Sequence, residues 1–366
     1  MTHPHDWDDE LEDGDLADDE NDGLAVSRYT GELVDDEDDE RESRGEKPSL
    51  ETTMSILKSA DITDARLYYG LSDLSIDEVR QLKPMWEALP DEARRRLTRE
   101  LVELSEANFD LTYNALGRLA LLDDDAEVRA AAIEVLWEDD TPDLMNQLVE
   151  MSHGDEAPVV RAAALSALGR FILLGELEEF PETEAVKAQD AAISALSNPD
   201  EEVEVRRRAL EAIANCSHEI VDSAIEEAYE SHERLMNISA VFAMGRTCDE
   251  KWSEQVMREL DSADPEMRYE AARAAGELML IDAVPALSRM AFENDRELQD
   301  TAIWALGEIG GKEASRVLNT LAENARQDGD DDLVEAIEDA IANASLGMRD
   351  LYMMNFEDED ESPPKY

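Results

Sequence analysis

The stretch DDDAEVRAAAIEVLWEDD, Asp123 to Asp140, places Arg129 four residues after Asp125 among clustered carboxylates. Carboxylates beside an arginine are the raw material of an acid–base or phosphate-binding site. The rest of the chain supplies little to complete one. Of the five histidines, His3, His5, His153, His218 and His232, the last three stand singly at expected turns. The chain has no Cys-x-x-Cys, His-Glu-x-x-His, phosphate-binding glycine loop or Gly-x-Ser-x-Gly pattern. With 92 Asp and Glu in 366 residues, carboxylate pairs occur everywhere, and spacing singles out none of them. Cys216 and Cys248 read as small buried hydrophobes with reduced thiols. No catalytic residue, cofactor or metal site is therefore expected.

Charge narrows the partner classes. The formal net charge is −59, a field that repels nucleic-acid phosphates and anionic lipid and favours a protein partner with a basic or apolar surface. Residues 1–48 carry 20 acidic against four basic side chains. They are too polar to offset chain entropy and are expected to be disordered, with the apolar island Leu24–Val34 as a spacer or docking motif. The sequence shows no basic-then-apolar leader and no uncharged run of membrane-spanning length, so a cytoplasmic protein is expected.

The elements that would position any site are helices. Aromatics make up only 5% of the chain, and Ala, Leu and Glu dominate its periodic stretches. In LSIDEVRQLKPMWEAL, Ser75 and Glu78 form a capping box ahead of apolar positions running to Leu89, and Pro84 is expected to kink the helix. PDEARRRLTRELVELSEANFD adds an amphipathic helix through Leu97, Leu101 and Leu104. Residues 49–108 read as a helical N-terminal cap.

Beyond it the chain repeats itself. EVRAAAIEVLW, VVRAAALSALG, EVRRRALEAIA, LMNISAVFAMG, EMRYEAARAAG and ELQDTAIWALG align on Arg129, Arg161, Arg206, Asn237, Arg268 and Gln299, at spacings of 32, 45, 31, 31 and 31 residues. A period near 31 with two helical stretches per unit marks a helical solenoid. The 45-residue step contains an insertion around GELEEFPETEAV, expected as a loop.

The pattern Asp-x-x-x-Val-Arg-x-x-Ala-x-x-Ala-Leu-Gly over roughly residues 109–345 resembles HEAT repeats, in the short HEAT-like form shared with phycobilisome bilin lyases. The resemblance implies an all-α fold: a right-handed α-solenoid of HEAT-like helix pairs over 109–345, with the cap before it and an acidic tail over 346–366. It also implies that the second helix of each pair lines the concave side, and that the recurring arginines, Arg129, Arg161, Arg206 and Arg268, form a structural ladder between repeats.

Asp125, Glu202 and Asp264 stand four residues before Arg129, Arg206 and Arg268, with Ala157 at that place before Arg161, so an arginine is able to pair along its own helix where the acid is present or to reach an acid of a neighbouring repeat. Asn237 and Gln299 interrupt the series, so looser or more curved joints are expected there. One turn on, Ala132, Ala164, Ala209, Ala240, Ala271 and Ala302 leave room for close helix approach. Eight residues past the ladder, Gly169, Gly245, Gly276 and Gly307 relieve crowding or lead out of the helix.

Function then falls to the variable positions of the second helices. Phe242, Arg246, Tyr269, Arg273 and Trp304 interleave aromatics with arginine, the composition of binding hot spots, although Phe242 and Trp304 equally suit plugs between repeats. The tail residues Leu351–Phe356 read as a packing segment or a linear motif, and the basic run Arg206–Arg208 as a holder for the protein's own tail. The expected function is a non-enzymatic protein–protein interaction scaffold or adaptor, of open oligomeric state, that binds a partner protein in the concave groove of the solenoid. The alternatives are the bilin-lyase-like enzyme or chromophore chaperone implied by the resemblance and, below it, a nucleic-acid mimic.

Overall fold

In the computed structural model, residues 47–59 and 62–357 are described, with side chains through residue 345, and helix is their regular structure. Four helices lead in: α1 (Leu50–Ser59), α2 (Ala65–Leu71), α3 (Ile76–Trp86) and α4 (Asp91–Ala107). Helix pairs follow: α5 (Asn114–Ala120) with α6 (Ala126–Val135), α7 (Pro142–Gly154) with α8 (Pro158–Glu176), and α9 (Glu182–Leu196) with α10 (Val203–Ile213). The later pairs are α11 (Ile220–Tyr229) with α12 (Arg234–Arg246), α13 (Ser253–Glu259) with α14 (Pro265–Glu277), α15 (Val284–Met290) with α16 (Arg296–Ile309), and α17 (Gly311–Asp328) with α18 (Asp331–Glu357). The acidic N-terminal segment with its Leu24–Val34 island, the acidic tip 358–366 and the side chains of Leu351–Phe356 lie outside the described residues.

The second helices stack on one another in chain order, from α4 through α6, α8, α10, α12, α14 and α16 to α18. Small residues permit this. The six alanines one turn past the ladder position have no exposed surface. Each of the four glycines abuts an alanine of the next second helix. A Cβ added to Gly245 would stand 2.8 Å from the Ala274 Cα, one on Gly276 3.0 Å from that of Ala305, and one on Gly307 3.1 Å from that of Ala340. The glycines therefore set the distance between helices rather than marking an exit.

Helix starts follow the sequence closely. The Ser75–Glu78 capping box forms, with Ser75 N donating to Glu78 Oε2 at 2.8 Å. Asp125, Asp264 and Asp295 accept backbone amides at the starts of α6, α14 and α16, whereas Glu202 and Glu233 make no such bond at α10 and α12.

Three expectations change. Pro84 sits inside the last turn of α3, which stops at Trp86 rather than running on to Leu89. The insertion is mostly helix: it lengthens α8 to 19 residues and α9 to 15, leaving only residues 177–181 between them. Phe180 in that short link packs edge-to-face on Phe171 at 5.3 Å, so the added residues join the core. α8 is also long and apolar enough to cross a membrane by length and composition, but it packs against α6, α7, α9 and α10. Of the cysteines, Cys216 is buried, and burial pushes its thiol pKa up. Cys248 is exposed at positive φ after α12, so the buried reading fails there.

Candidate protein-binding surface

The ladder arginines bridge repeats, and the acids four residues before them do other work. Arg129 donates from Nη2 to Asp155 Oδ1 at 2.8 Å and from Nε to Oδ2 at 2.9 Å, while Nη1 reaches back to the Asp123 carbonyl at 2.8 Å. Arg161 repeats the geometry on Glu201 at 2.7 and 3.1 Å, with Nη1 on the Asp155 carbonyl, across the long insertion. Arg268 grips Glu293 at 2.8 Å. One guanidinium thus ties its own turn to the next. Although burial opposes it, the bonds from Arg129 and the Ala157 amide hold the Asp155 carboxyl below the usual range.

Two rungs differ from expectation. Arg206 has no carboxylate partner among the described residues, and its Nε makes only a 3.4 Å bond to the Leu196 carbonyl. Conversely, α4, expected in the cap, carries a rung. Arg94 is buried, donates to the Leu89 carbonyl at 2.6 Å, and pairs with Asp123 at 2.9 Å. Asp123 also accepts from Trp86 Nε1 at 2.8 Å, fastening α3 and α4 to the turn before α6. The sequence carried this rung in EARRRL, without the Val-Arg-x-x-Ala signature that aligns the others.

Asp123, Asp125 and Arg129 of the opening cluster are therefore engaged in structure. Asp125 caps α6 and receives Arg95 of α4, whose hydrogen bond leads the effects that lower its pKa. The other two arginines of the basic run are also occupied: Arg207 and Arg208 lie against Glu204 and Glu211 on their own helix.

The five residues singled out on α12, α14 and α16 come together. The Arg273 guanidinium lies 4.3 Å over the Phe242 ring and donates from Nη2 to Glu277 at 3.0 Å. Glu277 also receives Arg246 at 3.2 Å, and Arg246 continues to the Asn215 side chain at 3.0 Å. The Trp304 ring lies against Gly276, where an added Cβ would stand 2.8 Å from Cζ3, and 40% of Trp304 stays exposed. Tyr269, Arg273 and Trp304, with Asp300 and Thr301, surround an open cavity of about 300 Å³ between α14 and α16. Beside it lies a cavity of about 690 Å³ whose wall includes Glu266, Tyr269, Glu270, Asp295 and Glu297.

The Arg273 guanidinium covers Phe242, whereas Trp304 packs on Gly276 and stays partly exposed. Arg246 and Arg273 are not free charges, since both pair with Glu277. The sequence did not single out Glu270. Desolvation pushes its pKa up to about 7; Arg273 opposes the shift, and Glu211 and Glu277 add to it. Also missed was Phe109, which meets Trp137 edge-to-face at 6.1 Å with both rings exposed. Its sequence sign was Trp137 standing where four other repeats have glycine. Among the described residues no group of His, Cys, Asp or Glu is arranged to hold a metal ion.

Comparison with known proteins follows the repeat geometry. The family described as HEAT repeats matches residues 114–188 and 253–342. No curated protein matches the chain. Among solved structures, the CpcE–CpcF complex of phycocyanin lyase from Nostoc sp. is 17% identical, over 76% of this chain and 96% of that one, with a TM-score of 0.45. Human deoxyhypusine hydroxylase is 19% identical over 74% and 96%, with a TM-score of 0.32. Kap121p is 14% identical over 81% of this chain, which spans only 38% of that one, with a TM-score of 0.36. The stacked helix pairs, the arginine rungs and the family match agree: residues 114–188 and 253–342 of the chain are HEAT repeats.

Proposed function

We propose that the chain is a non-enzymatic scaffold or adaptor that binds a partner protein along the solvent-exposed side of α12, α14 and α16, the helices expected to line the concave groove. The observation that carries this reading is Trp304, a large aromatic left 40% exposed beside Tyr269 and Arg273 at the edge of a cavity, with the Arg273 guanidinium stacked on Phe242. Aromatic and arginine side chains on a rigid helical stack supply contact area at low entropic cost. The neighbouring carboxylates of Glu266, Asp295 and Glu297 favour a partner that brings an apolar side chain flanked by basic ones. The same charge argues against nucleic acid and against an anionic membrane surface, and the reading is of a soluble cytoplasmic protein.

The test is crosslinking with mass spectrometry from native lysate, run in parallel with the full chain and with Trp304→Ala. A partner whose links map to residues 234–309, and whose recovery falls at least fivefold with Trp304→Ala at unchanged Tm, is expected. Links confined to the segments before residue 47 and after residue 345, or equal recovery by both proteins, would overturn it.

A further inference from the structure

The rung at Arg206 is incomplete in a specific way. In the rung before α8, Asp155 uses one oxygen to accept the Ala157 amide at 2.9 Å, and both of its oxygens receive Arg129. Ser231 stands at the matching place after α11. Its Oγ accepts the Glu233 amide at 3.1 Å, so the turn is kept. A hydroxyl, however, has no charge and no second oxygen for a guanidinium. Asn237 takes the carbonyls of Ala228, Tyr229 and Ser231 at 2.9 to 3.0 Å, and Arg206 makes no bond to them.

Arg206 is left with one weak bond, from Nε to the Leu196 carbonyl, and its two terminal nitrogens have neither a hydrogen bond nor an ion pair among the described residues. Arg206 borders a cavity of about 440 Å³ between α9 and α11, with Leu196, Ile220 and Met236 as apolar wall and Ser231 and Glu227 on its polar side. Glu227 is exposed and makes no pair with Arg206. Where Arg129 and Arg161 sit, a carboxylate fills this position; here there is space.

We infer that the cavity at Arg206 is a docking site for one acidic side chain of a partner protein, which supplies from outside the carboxylate that Ser231 lacks. A planar guanidinium with two free terminal nitrogens suits a carboxylate held by paired hydrogen bonds, as the neighbouring rungs show. The apolar wall takes the residues flanking the acid. The −59 charge of the chain repels an acidic run at long range, so the acid must be presented singly, within a segment that is otherwise apolar or basic. This inference stands apart from the Trp304 face, since it concerns other helices.

The probe is the peptide acetyl-Lys-Leu-Asp-Leu-Lys-amide, compared with its Asn counterpart by calorimetric titration of the full chain. The Asp peptide is expected to bind at least tenfold more tightly than the Asn peptide, and Arg206→Gln to abolish that difference. Ser231→Asp supplies the carboxylate within the chain and is expected to exclude the peptide while Tm stays level or rises. Equal or absent binding of the two peptides, retention of the difference in Arg206→Gln, or undiminished binding to Ser231→Asp would each overturn the inference. Binding by inorganic phosphate that displaces the Asp peptide and exceeds it in affinity would also overturn it, by assigning the site to a different anion.

Discussion

Arg234 donates from Nη2 to Asp264 at 2.8 Å, from a position three residues ahead of Asn237, where other repeats carry their ladder arginine. The exchange recurs further on. Arg296 stands three residues ahead of Gln299 and pairs with Asp330 at 3.0 Å. In both repeats the amide side chain keeps the contacts to its own turn, Asn237 to Tyr229 at 2.9 Å and Gln299 to Ala291 at 3.0 Å. Two residues thus divide what one arginine does elsewhere. The joints expected to be loose are bridged by this second route, and the rung without a carboxylate is at Arg206.

This division predicts unequal costs. Arg129 and Asp155 are each about one-tenth exposed, so Arg129→Ala leaves a buried carboxylate and two turn carbonyls short of partners, at about 2–4 kcal/mol. Arg206→Ala removes no ion pair and should cost less than about 1 kcal/mol. Arg234 is half exposed, and Arg234→Ala belongs in the same low range, as surface pairs do. Urea denaturation of the three variants gives the order; equal losses would contradict the ladder.

The glycine spacing predicts a contrast between two conservative changes. Gly245→Ala forces a Cβ to 2.8 Å from the Ala274 backbone, which no side-chain rotation relieves. A loss of about 1–3 kcal/mol is expected. Gly154→Ala, at the end of α7, meets nothing within 4 Å and should be neutral or stabilising by up to about 1 kcal/mol. Thermal melts of both variants decide it, and a destabilised Gly154→Ala would show that space is not the controlling variable.

Net charge predicts a salt response. The ion pairs that matter most are partly buried and poorly screened, whereas the repulsion among 92 acidic side chains is spread over the surface. Screening therefore relieves more than it removes. Tm should rise between low salt and about 0.5 M, the range over which the Debye length falls from several tens of Å to a few. A flat or falling curve would mean that the bridges outweigh the repulsion.

The fold was legible because its period is written in residues that packing forbids to vary. Ala132 and its five counterparts are wholly buried, and Gly245 and Gly276 touch backbone, so their identity announces the register. Arg94 escaped because its rung needs only a guanidinium at the right helical turn, and the surrounding EARRRL lacks the small-residue signature. The insertion was misread for a related reason: acids and Pro181 look like loop, but Phe180 finds Phe171 and makes helix extension worthwhile. On the candidate surface, side-chain type and repeat position brought Phe242, Arg273 and Trp304 to attention. Their mutual contacts, and the burial of Glu270 among them, depend on how far α12, α14 and α16 approach, which no single repeat encodes.

Glu270 makes the last prediction, because its pKa is raised to about 7 from an ordinary 4.5. Its Oε2 is buried without a hydrogen bond, and the Arg273 guanidinium at 3.7 Å does not offset the desolvation. The folded protein therefore holds this proton where the unfolded chain has released it. Stability falls as pH rises from about 4.5 to about 7, and the penalty is complete above the folded pKa, on the order of 2–3 kcal/mol. Asp125, Asp155 and Glu201, whose pKa values are lowered, act oppositely and lose their contribution as pH falls, so the comparison must be made against a variant. Glu270→Gln removes the charge and keeps the shape. It should melt higher than the parent at pH 8, and the gap should shrink severalfold by pH 5. A gap independent of pH would place the gain in packing rather than in a proton, and a lower Tm at pH 8 would mean that the ionised carboxylate, paired with Arg273, is what the joint between α14 and its neighbours requires.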